Sequence, residues 1–128
     1  MSGPRYQAIA PDVLMKAVAG DLPTFRSLSQ VYLAIAPPAL ARMRAARAAG
    51  DARALAHESH ALKGSAVLVG AHALCALLQR IEQEAGAGVA AGAGLAALWP
   101  ELELQFGLVM DEVTDSIVHY LGAPAGGA

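Results

Sequence analysis

A single cysteine, Cys75, serves a chain of 128 residues, so no internal disulfide can form. Set in an apolar helical pattern, it reads as a small core residue and fits a reducing cytoplasm. Aromatic residues are scarce at 5%. No run of four or more β-branched and aromatic residues alternates in polarity, and no Asn-Gly or Asp-Gly pair marks a hairpin, which excludes a sheet protein. Positive charge is not in excess: the net charge is −2, and no basic stripe is available to neutralise a phosphate backbone, which argues against nucleic acid as a partner. The start, Met1 to Tyr6, lacks the apolar core of a signal peptide. The most apolar window, Ala85 to Trp99, is too short and too rich in glycine to span a bilayer. A soluble, cytoplasmic protein without membrane association is expected.

What the chain does have is alanine, the strongest helix former, within a hydrophobic share of 55%. At this length one domain is expected, burying roughly two-thirds of the surface that the unfolded chain exposes. The periodicity predicts a short helix from Pro11 to Val18, then a second capped by Asp21. Pro37-Pro38 remove two backbone donors and predict a kink or brief break before the pattern resumes through Leu40 and Met43. Gly50-Asp51 supply a stop and a new cap for a helix over 52–68. Val69-Gly70-Ala71 is a turn short enough to send the next helix, 72–85, back antiparallel. An Ala/Gly loop over 86–94 precedes a last helix over 95–121, disturbed at Pro100, and 122–128 reads as a frayed tail. The fold class is therefore all-α: an antiparallel up-and-down four-helix bundle over 1–121 with a short extra N-terminal helix.

Within the third helix lies the string His60-Ala61-Leu62-Lys63-Gly64-Ser65-Ala66. Leu55, Ser59, Leu62, Ala66 and Val69 recur at helical spacing and form its core side. Leu62 lies about 200° around the helix from His60, so burying Leu62 turns the imidazole toward solvent. Lys63 and Gly64 follow His60 by three and four residues and share its face. An exposed imidazole near neutral at physiological pH can attack phosphorus through a deprotonated ring nitrogen. Lys63, read as an exposed side chain, offers a cation for the phosphoryl oxygens. Gly64 costs about 1 kcal/mol relative to alanine inside a helix, a cost explained if its missing side chain gives another protein clearance to reach His60.

These residues, with Gly70-Ala71, the apolar helix beyond them and the approach from Pro38-x-Leu40 to Gly50-Asp51, resemble a histidine-containing phosphotransfer (HPt) domain from about Asp21 to Leu121. The resemblance implies a phosphorelay intermediate that accepts a phosphoryl group from a receiver-domain aspartate and passes it to another. It makes His60 the phosphoacceptor, Lys63 the phosphate-stabilising cation and Gly64 the clearance position. The chain would bind no nucleotide or metal cofactor, the Mg²⁺ for transfer being held by the receiver. A Gln or Glu on the following helix would orient the ring, and folding the hairpin about Gly70 nominates Glu82, with Gln79 and Gln83 as alternatives. Response-regulator receivers, and a hybrid histidine kinase upstream, would be the partners.

Other residues have blander readings. His57, one turn before His60, reads as surface that tunes local charge near a docking partner. With His60 it offers too few ligands for a metal, and its spacing is not the i, i+4 of helical zinc pairs. Arg53 either attracts an acidic receiver or is ordinary surface charge. Val67, with Leu68, is an apolar docking candidate that could instead pack beneath the turn. His72 and His119 read as structural. No Gly-rich nucleotide loop is present, so kinase activity is not expected. Two further functions fit the same pattern: a non-catalytic adaptor that binds a receiver or kinase, and the phosphoacceptor domain of a chemotaxis-type histidine kinase. The starting Met and the Gly/Ala-rich end read as those of a free-standing protein.

Overall fold

The computed structural model describes residues 6–121, and the regular elements within them are all helices. They are α1 (Pro11–Ala17), α2 (Leu22–Ala48), α3 (Ala52–Leu68), α4 (His72–Gly86) and α5 (Ala93–Leu121). Neighbours in sequence from α2 to α5 pack on one another, and α5 closes back on α2. This makes a four-helix bundle with α1 touching α2 and α3.

Local chemistry sets the helix starts. Asp21 accepts from the Thr24 amide at 3.0 Å, and Asp51 accepts from the Ala54 amide at 3.0 Å. Each side chain satisfies one of the amides that a helix start leaves unpaired. α3 buries Leu55, Ser59, Leu62 and Ala66. Against them α4 sets Leu74, Leu77, Leu78, Ile81 and Ala85. A fully buried leucine is worth about 1.5–3 kcal/mol, so this seam fixes which face of α3 turns outward. Ser59 does not spoil the seam because its hydroxyl donates to the Leu55 carbonyl at 2.7 Å.

Three expectations need revision. At Pro37-Pro38, both exposed, α2 continues without the break that is one of the two outcomes expected there. The carbonyls that lose their donors belong to Leu33 and Ala34, and Ala34 is open to solvent, while Ala36, Ala39, Leu40 and Met43 bury the other face. The last helix starts at Ala93 rather than 95 and likewise continues through Pro100. Cys75 is only partly buried, and its thiol points at the Lys63 carbonyl 3.8 Å away. Burial pushes that thiol's pKa up, so it is not a ready nucleophile. The expected tail over 122–128 lies outside the described residues.

One feature has no counterpart in the sequence pattern. The amides of Gln7, Ala8 and Ile9 converge on the Glu112 carboxylate at 3.2, 2.8 and 3.2 Å. The Tyr6 hydroxyl donates to Asp115 at 2.7 Å. The segment thus tied down buries Ala8 and Ile9 and rests on the α3–α4 turn. There Gly70 has φ +71°, and an added Cβ would lie 2.5 Å from the Ala10 carbonyl oxygen. Only glycine meets both demands.

Candidate functional site

With Leu62 buried at 2% exposure, His60 projects from the opposite side of α3, its side chain 68% exposed. The short turn at Val69–Ala71 returns the chain so that α4 lies along α3. Glu82 thereby comes level with His60, and its Oε2 is 3.0 Å from His60 Nδ1. The other carboxylate oxygen, Oε1, accepts from Lys63 Nζ at 3.0 Å. Lys63 also donates to Gln79 Oε1, one turn earlier on α4. Of the three residues considered for the ring, Glu82 is the one that faces it; Gln79 engages Lys63 instead, and Gln83 is exposed on α4.

Electrostatics fix the protons. The bond from Lys63 holds the Glu82 carboxyl below the usual carboxylate range; partial burial opposes this, and the His60 bond adds to the lowering. Glu82 is therefore ionised at neutral pH and can only accept hydrogen bonds. His60 Nδ1 must then carry the proton it shares with Glu82. In the neutral ring this leaves the lone pair on Nε2.

Lys63 departs from its sequence reading. Its side chain is only 22% exposed and is tied to α4 by two acceptors rather than free in solvent. A lysine stem is long enough to lie across the helix seam while its head stays hydrated. The pair Gln79 and Glu82, spaced i, i+3 on the facing helix, was the signal for this arrangement.

Gly64 completes the face. A Cβ placed there meets no atom within 4 Å, so nothing in this chain's own packing demands glycine. Val67 is 55% exposed, and Leu68 is also open. With Leu28, Val31, Tyr32 and Ile35 of α2, Leu68 lines a shallow apolar groove between α2 and α3. His57 and Arg53 are exposed farther back along α3, toward its start, and make no hydrogen bond to the His60–Glu82–Lys63 cluster. Among the described residues no three His, Cys, Asp or Glu side chains gather as a metal site, and no helix is long and apolar enough to cross a membrane.

A helical bundle presenting a solvent-facing histidine braced from the next helix is the arrangement of a phosphotransfer module. Residues 27–115 match the Hpt domain family, and the chain belongs to it. Members of this family carry out phosphotransfer in phosphorelay signalling and interact there with receiver domains. The fold is shared with the crystal structure of histidine-containing phosphotransfer protein B (HptB) from Pseudomonas aeruginosa PAO1. That likeness has a TM-score of 0.74 at 25% identity and covers 91% of this chain and 96% of the other. No curated protein matches the chain.

Proposed function

We propose that His60 is the phosphoacceptor of a cytoplasmic phosphorelay, taking the phosphoryl group from one receiver aspartate and delivering it to another. The observation that carries this reading is the bond of His60 Nδ1 to an ionised Glu82, which leaves Nε2 free on an open face. The Nε2 lone pair attacks the phosphorus of the receiver's aspartyl phosphate. The N–P bond forms as the P–O bond to the aspartyl carboxylate breaks, and that carboxylate leaves with the bonding pair. The ring gains positive charge while keeping its Nδ1 proton, and the facing Glu82 carboxylate offsets that charge. Transfer to the second receiver reverses these steps. The Mg²⁺ that screens the phosphoryl oxygens belongs to the receiver. Gly64 gives the receiver's backbone room, Val67 and the α2–α3 groove supply apolar contact, and Arg53 and His57 draw an acidic rim.

Incubating the chain with a phosphorylated receiver is expected to give acid-labile, alkali-stable label that a His60→Gln variant lacks. Label that persists in His60→Gln moves the acceptor elsewhere and overturns the assignment. A second reading, the phosphoacceptor domain of a chemotaxis-type kinase, is favoured by the carboxylate at the ring partner position. It predicts labelling from an ATP-loaded kinase catalytic domain and none from a phosphorylated receiver.

A further inference from the structure

We infer that Gln79 is a positioning residue for phosphotransfer: by holding the Lys63 ammonium on α4, it limits how much of that charge reaches a phosphoryl group on His60. The inference rests on His60 being the acceptor. Lys63 has three N–H donors. One goes to Gln79 Oε1 and one to Glu82 Oε1, both on α4 and one turn apart. Gln79 is neutral, so it restrains the ammonium without cancelling its charge.

The charge count makes this placement matter. At rest, the neutral ring, Glu82 and Lys63 sum to zero. When the N–P bond forms, the ring becomes cationic and the attached phosphoryl carries two negative charges, so the cluster gains one net negative charge. Lys63 then has two claimants, the Glu82 carboxylate and the new phosphoryl oxygens. An ammonium on a flexible four-carbon stem moves between them at little cost. Gln79 biases that choice toward Glu82. It keeps the ammonium on the carboxylate and leaves the phosphoryl group less stabilised, ready to leave. In the onward step the N–P bond breaks, its electron pair returns to Nε2, and a P–O bond to the receiver carboxylate forms. A Lys63 drawn onto the phosphoryl oxygens would stabilise the phosphohistidine and slow that step.

The test is a series at position 79, which is exposed and leaves the bundle intact. Gln79→Ala is expected to lengthen the phosphohistidine lifetime and slow onward transfer roughly threefold to tenfold, the scale of one net hydrogen bond at an exposed site. Gln79→Glu, which grips Lys63 harder, is expected to shift both in the opposite direction. The ¹⁵N signature of the His60 Nδ1–H tautomer should stay unchanged across the series, because Glu82 still faces the ring. In a Lys63→Met background the series should collapse to a single lifetime. Equal lifetimes for Ala, Gln and Glu at position 79, or a spread that survives in Lys63→Met, overturns the inference. Label absent from the unaltered chain overturns the proposed function, and this inference with it; a labelled parent with a flat series overturns this inference alone.

Discussion

Glu82 divides its two oxygens between a ring nitrogen and an ammonium, which gives one side chain two separable effects. Toward His60 it acts as a fixed negative charge that accepts from Nδ1 and so selects the Nδ1–H tautomer. Toward Lys63 it is half of a partly screened ion pair, 27% exposed on its own side, so its share of stability is modest. Glu82→Gln keeps an acceptor for the ring but removes the charge. The expected outcome is a weaker preference for the Nδ1–H tautomer of His60 by ¹⁵N NMR and transfer slowed on the order of tenfold, at the low end for loss of an acid–base partner. Folding should also lose part of its pH dependence. The folded carboxyl titrates below its ordinary value of 4.5. Its contribution to stability is therefore complete above that pH and is lost as pH falls through the depressed folded value. Denaturation midpoints at pH 7 and in mild acid should converge slightly in Glu82→Gln relative to the parent. An unchanged tautomer signature together with an unchanged transfer rate would remove Glu82 from the orientation of the ring.

At the scale of helices, two glycines on and after α3 make opposite demands. Gly64 has ordinary helical geometry and open space where a Cβ would sit, so Gly64→Ala should stabilise the fold by about 1 kcal/mol. The same methyl lies on the face a partner must approach, so phosphotransfer should slow while thermal stability rises. Gly70→Ala should do the reverse to stability, because its positive φ and the Ala10 backbone leave no place for a side chain. Thermal melts with transfer rates on both variants check the pair, and a Gly64→Ala protein that transfers at full rate would sink the clearance argument. Much of this level was legible beforehand. Apolar spacing in α3 fixed the outward side of His60, and the short turn at Gly70 limited the ring partner to a few residues near position 80. The unbroken α2 was not legible, because proline's cost is local while the burial of Ala36, Ala39, Leu40 and Met43 that outweighs it is tertiary. The tether on Lys63 leaves no mark on hydrophobic periodicity either; its one trace in the sequence is the i, i+3 spacing of its acceptors Gln79 and Glu82.

Across the whole molecule, the least legible feature is the closure of one end of the bundle by residues 6–10, which depends on partners more than a hundred residues away. A short segment without periodicity carries no sign of where it docks. Its docking is nonetheless specific, because three consecutive amides are satisfied by one carboxylate, and an amide buried without an acceptor is costly. Glu112→Ala should strand those amides and destabilise the protein by about 2 kcal/mol, the scale of a hydrogen bond to a charged group. Hydrogen exchange at Gln7, Ala8 and Ile9 should rise toward that of an open chain, with weaker protection spreading to Leu14 as α1 loosens. Glu112→Gln should fall between, since one amide oxygen can still serve Ala8 and Ile9, which share Oε1 in the parent. The His60 cluster belongs to the α3–α4 hairpin and owes no contact to Glu112, so initial transfer rates should hold in both variants at temperatures where they remain folded. Undiminished amide protection in Glu112→Ala would mean that burial of Ile9 and Leu14 alone holds the segment, with the carboxylate incidental to it.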